Sequence, residues 1–432
     1  MKLPADLHFH SKYSRAVSPQ MTLPNIAEYG KIKGLKLLTA TDFTHPLWFE
    51  EIKNTLTEIR DGIYQLRNSK DSPFFILTTE ISLIYQNHRI HLLVFSPNIE
   101  TVTKINEKLS KRGFNLLSDG RPILGINCRD FVALLKEVDE RIIFVPAHIW
   151  TPWFSLYGSK SGYDTFTECF LEYSEQITAF ETGLSSDPIM NWQIAELDKK
   201  IIVSFSDAHS LKNLGREATV FELPKNFTYT DIIAALKTPH QPSSISFVSS
   251  SVEFYPEEGK YHLTGHRKCK VCQTPEETKK LGVICPVCRR PLTVGVMHRV
   301  QKLSREKTIA PVIKEISGIK TFYHPENSHH PFICLVPLLE IIAEAESLGV
   351  SSKKVLAKYQ TAIKSLGSEF DILTKVSSQE ISHILGKRIG EGIEKNHRGD
   401  LFIAPGYDGV YGKVKIWGKE TKPNLNQQAS LF

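Results

Sequence analysis

Along residues 1–222, short apolar runs alternate with stretches in which apolar side chains recur every three to four positions. The runs at 35–38, 74–77, 91–95, 142–145, 177–180 and 201–205 read as strands, and 26–32, 52–63 and 189–197 read as helices. Such alternation predicts an α/β fold with a parallel sheet, whose ligands gather at the C-terminal ends of the strands. Residues 223–260, with Pro and Ser clusters, read as an exit linker with one short helix near 231–236. Further on, 337–348 and 352–366 have helical periodicity. Residues 380–393 suggest a helix-turn-helix stretch akin to helix-hairpin-helix DNA binders, and 400–416 a hairpin around a Gly-rich turn.

A chain of 432 residues can build two or three domains with sizeable cores. It shows neither a secretory leader pattern nor an 18-residue apolar run, so a cytoplasmic protein is expected. Its seven cysteines divide into two Cys-x-x-Cys pairs and three lone residues, Cys128, Cys169 and Cys334, which suits metal binding in a reducing compartment better than disulfides.

Acids and imidazoles recur where the apolar runs end. His8-x-His10 follows Asp6-Leu7, Asp42 and His45 follow the run at 35–38, Glu80 follows 74–77 and His91 opens 91–95. His148 follows 142–145, and Asp207-x-His209 closes 201–205. Side chains two apart on a strand share a face, so each paired motif aims two ligands one way. Imidazole and carboxylate are the ligand types for Zn, Mn, Mg or Fe acting as water activators. These segments resemble the polymerase and histidinol phosphatase (PHP) family, a distorted β/α barrel with a rim site for two or three divalent metals. The resemblance implies metal ligation by His8, His10, Asp42, Glu80, His91, His148, Asp207 and His209, with His8, Glu80, Asp207 and His209 closest to the chemistry. Two departures stand out: Phe43 replaces the usual histidine, with His45 as a substitute two residues on, and Ser14–Val17 lacks an acid that many members carry.

Cys269-Lys-Val-Cys272 and Cys285-Pro-Val-Cys288 form two knuckles suited to a closed, structural zinc site of four cysteines. Around them lie Arg267, Lys268, Lys270, Lys279, Lys280, Arg289, Arg290 and Arg299. Residues 1–259 carry 26 basic against 31 acidic side chains, whereas 260–432 carry 27 against 16. An acidic, cation-gathering half joined to a basic half suits a nuclease, with the zinc ribbon-like module as a clamp on phosphates. Tyr407, Tyr411 and His324 are candidates for stacking on bases.

Taken together, the barrel segment (1–222), the linker (223–260), the zinc module (261–300), the C-terminal helical and hairpin region (301–417) and the tail (418–432) resemble the endonuclease Q family. That resemblance implies a DNA repair endonuclease cutting 5′ of uracil, hypoxanthine, xanthine or an abasic site, on single- or double-stranded DNA. A pocket for the flipped base is expected within 318–412. Gln428-Ala-Ser-Leu431-Phe432 resembles a sliding-clamp peptide, so a bacterial, nucleoid-associated protein is expected, with Gln428, Leu431 and Phe432 binding the clamp. A small-molecule phosphomonoesterase and a non-catalytic DNA-binding scaffold are the alternatives.

Overall fold

The computed structural model describes residues 1–238 and 244–418. Strand Lys2–Asp6 pairs in parallel with Leu37–Thr39 and antiparallel with Ala218–Glu222, and Leu37–Thr39 pairs in parallel with Phe74–Tyr85. The ladder then changes sense: Phe74–Tyr85 folds back on His88–Ser96, which pairs antiparallel with Ile143–Pro146. The expected all-parallel sheet is therefore mixed. The cause is local: Gln86 and Asn87 form a tight turn, with Gln86 in the left-handed region, where a crossover helix would be needed. The parallel pair Ala179–Glu181 and Ile201–Val203 occupies the remaining sector. Ile149 N–H donates to the Glu181 carbonyl (3.1 Å) and His10 N–H to the Ala208 carbonyl (3.0 Å), carrying the circuit across its two gaps. The outcome is a distorted β/α barrel.

Period-two alternation splits the strand residues between two cores. Leu3, Ala5, Leu7, Leu37, Ile76, Leu93, Val145 and Val203 pack together and against helix Tyr229–Lys237. Their neighbours Leu38, Phe75, Leu77, Leu92, Val94 and Phe144 join Ile26, Trp48, Ile105 and Phe131 of the surrounding helices.

Two stretches depart from the periodicity. Residues 52–63 are not one helix: Pro46–Thr55 is helical, then Leu56–Arg60 and Ile63–Leu66 form a hairpin. Asp61-Gly62, with Gly62 at φ 68°, is a hairpin turn signal that outweighs the apolar spacing. Residues 223–260 are more than a linker. Phe247–Glu253 pairs antiparallel with Ala218–Glu222 and in parallel with Phe332–Cys334, extending the barrel sheet to Ile319–Tyr323 and Val312–Ile316.

Five helices, Leu338–Ala345, Lys353–Leu366, Glu369–Thr374, Ser378–Leu385 and Lys387–Arg398, enclose a separate core around Ile341, Ile342, Ile372, Ile381 and Ile393. The last two flank Gly386 as the sequence suggests, and Phe402–Ala404 pairs with Lys413–Lys415 in the expected hairpin. Among the described residues no helix is long and apolar enough to cross a membrane. The tail peptide at 428–432, with Gln428, Leu431 and Phe432, lies outside the described residues.

Candidate metal centre

Two ligand groups converge at one rim of the barrel. His8, His10, Glu80 and Asp207 offer donor atoms that all lie within 4.8 Å of one another, as do Glu80, His91 and His148. Glu80, fully buried, belongs to both, which is the placement of a carboxylate bridging two cations. Its Oε2 is 3.0 Å from His10 Nε2 and 3.5 Å from His8 Nε2, and its Oε1 is 2.7 Å from His91 Nδ1 and 3.2 Å from His148 Nε2.

The donors fit metal ions. His8 Nε2, His10 Nε2 and Asp207 Oδ1 are buried without a hydrogen-bond partner, although His10 Nε2 is only 3.2 Å from Asp207 Oδ1. Buried polar atoms are almost always satisfied, so three orphans facing one point mark the place of a cation. Although burial opposes ionisation, neighbouring imidazoles and Arg121 hold the Glu80 carboxyl well below its usual range, and His10 and His8 do the same for Asp207. Glu181, Glu80 and Asp42 raise His8 and His10 in return, so a metal binding there would displace protons. Burial pushes His91 down to about 4, keeping a ring nitrogen free to coordinate.

The outer partners orient the ligands. Glu181 Oε1 sits 2.8 Å from His8 Nδ1, and Glu181 Oε2 accepts the His148 backbone N–H at 2.8 Å. Asp42 acts in the same way: its carboxylate meets His10 Nδ1 (3.1 Å) and accepts from Ser11 N–H (2.7 Å) and Ser14 Oγ–H (2.8 Å). Asp42 is therefore a support for His10 and joins neither ligand group. His45 also stays out, stacked on Tyr13 at 4.4 Å. His209 lies beside the site, its ring 4.9 Å from that of His10 and its Nδ1 2.9 Å from the Asp207 carbonyl. Asp42, His148 and Asp207 all have left-handed backbones (φ 52°, 32° and 45°), a strain of roughly 1–3 kcal/mol each, of the kind found at functional sites. Gly183 is needed opposite: a Cβ there would stand 2.3 Å from His148 Cβ.

The cysteine module differs from the expected ligand set by one residue. The converging donors are His266, Cys269, Cys285 and Cys288, not Cys272. The knuckles are His266-x-x-Cys269 and Cys285-x-x-Cys288, each followed by a left-handed residue, Lys270 (φ 54°) and Arg289 (φ 62°). Cys272 instead pairs with Gly265 across the short ladder Thr264–His266 with Val271–Gln273 and is exposed. Three thiolates and one imidazole fill a tetrahedral shell as completely as four thiolates.

The proposed DNA-contacting residues divide. Arg267, Lys268, Lys270, Arg289, Arg290 and Tyr411 are at least partly exposed, available to phosphates or bases. Tyr407 packs against Gly265. Arg299 is buried, donating to the Tyr157 and Tyr163 carbonyls and to Asp164, and His324 is buried too. Missed by sequence reasoning are aromatic contacts beside the metal-ligand groups and near the hairpin. Phe154 stacks on His91 (5.0 Å), Trp153 meets Tyr261 (4.8 Å), and Lys260 Nζ lies over Tyr411 (4.6 Å).

The barrel and its two joined ligand groups define a PHP-like, metal-dependent hydrolase. Within that class, comparison of the whole chain with known proteins is decisive. It superposes on the crystal structure of the lesion-specific endonuclease PfuEndoQ from Pyrococcus furiosus with a TM-score of 0.82 and 30% identity, over 99% of this chain and 98% of that one. A structure of Endonuclease Q with a 27-mer duplex substrate carrying an abasic lesion at its active site matches equally, TM-score 0.82 and 30% identity, over 100% and 99%. The chain belongs to the endonuclease Q family. Residues 337–399 match the family described as the MJ0043 C-terminal domain. Among uncharacterised relatives, YqxK of Bacillus subtilis is 27% identical over 96% of this chain and 99% of its own length. MJ0043 of Methanocaldococcus jannaschii is 32% identical over 62% of this chain, which spans only 31% of that protein.

Proposed function

We propose that this chain is a metal-dependent endonuclease that cuts DNA on the 5′ side of a damaged nucleotide, either a deaminated base or an abasic residue. The observation that carries the reading is the sharing of Glu80 between two metal-ligand groups in a chain that aligns end to end with a lesion-specific endonuclease. Divalent ions bound there supply water activation and neutralise charge on the phosphate. The protein's part is positioning. Glu181 and Asp42 fix His8 and His10, and Arg216 Nε–H donates to the Ser206 carbonyl (3.0 Å), holding the strand end that presents Asp207.

A deaminated base carries a carbonyl where its parent carries an amine. A fixed N–H donor accepts the former and leaves the latter as an unpaired clash. Reading that edge requires the nucleotide to leave the stack, which costs least at a mispair or abasic site. The aromatic side chains Phe154, Trp153, Tyr261 and Tyr411, with the region 318–412, are where we place the nucleotide. The exposed cations of the zinc module would hold the flanking phosphates, and Gln428–Phe432 would tether the enzyme to a sliding clamp.

The test incubates the full chain with Mn or Mg and labelled duplexes bearing one uracil, hypoxanthine or abasic site, with a phosphomonoester alongside. Nicking 5′ of the lesion, lost in D207A, is expected. Hydrolysis of the monoester alone would support a small-molecule phosphatase, and DNA binding without cleavage a scaffold. Deleting residues 428–432 should abolish co-elution with a bacterial clamp and spare nicking.

A further inference from the structure

The loop Asp119–Pro122 brings a cation to the metal rim that no motif announces. Gly120 lies so close to the site that a Cβ there would fall 2.5 Å from Asp42 Oδ2 and 2.2 Å from Ser14 Oγ. Gly120 N–H donates to the Tyr13 carbonyl (3.1 Å), Asp119 Oδ1 accepts from Arg121 N–H (3.1 Å), and the Pro122 carbonyl accepts from Ser82 N–H (3.0 Å). The main chain is therefore pinned on both sides of Arg121. Its Nη1 reaches Glu80 Oε2 at 3.0 Å, the same oxygen that lies 3.0 Å from His10 Nε2. The Arg121 side chain touches the shared carboxylate and yet remains 27% exposed.

At this rim, among the described residues, two ligand groups form and no third. Of the donors a third would need, both Asp42 oxygens are taken up by the His10 loop, and His45, its Nδ1 buried without a hydrogen-bond partner, lies against Tyr13 and joins no group. A guanidinium stands at that edge of the centre instead, carrying a permanent charge and a planar set of donors suited to phosphate oxygens. We propose that Arg121 is a catalytic residue, standing as a third cation beside a centre of two divalent ions and donating to a non-bridging oxygen of the scissile phosphate. This rests on the endonuclease reading above. Arg121 would neither give nor take a proton: it would stay charged and offset the charge that builds on the phosphate in the transition state.

The test uses the full-length, metal-loaded protein and a duplex with one abasic site. R121A and R121K should lower kcat at least a hundredfold with KM changed less than threefold. Bound metal, measured by mass spectrometry, should match the wild type. Millimolar guanidinium should restore at least tenfold of the R121A rate and none of the D207A rate. A second measurement needs no DNA cleavage: inorganic phosphate, followed by calorimetry, should bind metal-loaded R121A at least tenfold more weakly than the wild type. R121A within threefold of wild-type kcat, loss of bound metal in R121A, or equal phosphate binding would each overturn the assignment. If the wild type nicks no lesion duplex yet binds phosphate through Arg121, the endonuclease reading falls and the phosphate role stands.

Discussion

Glu181 Oε1 lies 2.8 Å from His8 Nδ1, across 173 residues of sequence, with both side chains essentially sealed from solvent. One ring nitrogen of His8 is thereby engaged, and the other, Nε2, is left aimed at Glu80 and Asp207 without a hydrogen-bond partner. A carboxylate behind a metal-binding imidazole sets its tautomer and raises its basicity.

Replacing that carboxylate should weaken the metal rather than the fold. E181Q is expected to lower divalent-metal affinity by roughly 10–100-fold while leaving the melting curve of the metal-stripped protein nearly unchanged. Metal titration by calorimetry checks this. Unaltered affinity in E181Q would mean that His8 is not oriented through Glu181.

The revised zinc knuckle gives a sharper contrast. H266A should lose one tightly bound zinc per chain and unfold the 264–293 segment, because the metal rather than a core holds so small a unit together. C272S should retain zinc and stability, since Cys272 lies outside the cluster. Zinc stoichiometry and limited proteolysis of the two variants decide the matter, and the reverse pattern would restore the four-cysteine arrangement.

The sequence already pointed to most of the side chains that converge at the rim, because acids and imidazoles at the ends of apolar runs have few other reasons to cluster. Glu181 was hidden: a single acid after Ala179-Phe180 looks like any strand end until His8 folds against it. Arg121 was hidden in the same way, in a polar loop whose close approach to Asp42 only a glycine at 120 permits. His266 escaped notice because Cys269-x-x-Cys272 has the spacing of a knuckle. Only the left-handed backbone at Lys270, matching that at Arg289, shows which pair it closes. In the fold, hydrophobic spacing found the barrel strands but missed the hairpin after residue 55 and the strand within 223–260. Turn chemistry decided the first and distant pairing the second.

Lys33 and Glu369 fasten the barrel to the C-terminal helices. Their 2.7 Å ion pair is nearly buried, at 5% and 6% side-chain exposure, and Glu369 also accepts the Leu338 N–H at 3.1 Å. Removing one partner strands the other charge, so K33M should cost about 3–5 kcal/mol, whereas K33M with E369Q, which removes the stranded charge and keeps an acceptor for the Leu338 N–H and the Tyr359 O–H, should recover much of it. Urea melts of the single and double variants test this. A K33M midpoint equal to the wild type would show the pair to be energetically idle.

Behind the metal site, two buried acids set the pH response of the fold. Glu253 accepts hydroxyl hydrogen bonds from Ser204, Ser251 and Thr182, yet burial lifts its carboxyl to about 7. Glu217, also buried and facing Glu253, is pushed well above its usual range, and its Oε2 has no partner. Both groups keep their protons more tightly folded than unfolded. Their stabilising contribution is therefore full below about pH 4.5, the ordinary glutamate value; that of Glu253 is lost as pH rises through about 7, and Glu217 adds a loss of the same sign. The metal-stripped protein should thus lose on the order of 3 kcal/mol between pH 5 and 8 from Glu253 alone, with a further loss from Glu217. E217Q, neutral at every pH and still able to accept the Phe254 N–H that Oε1 receives at 3.3 Å, should remove much of that loss. Denaturation midpoints at both pH values, for wild type and E217Q, provide the measurement. Parallel declines in the two proteins would show that Glu217 ionises as freely folded as unfolded.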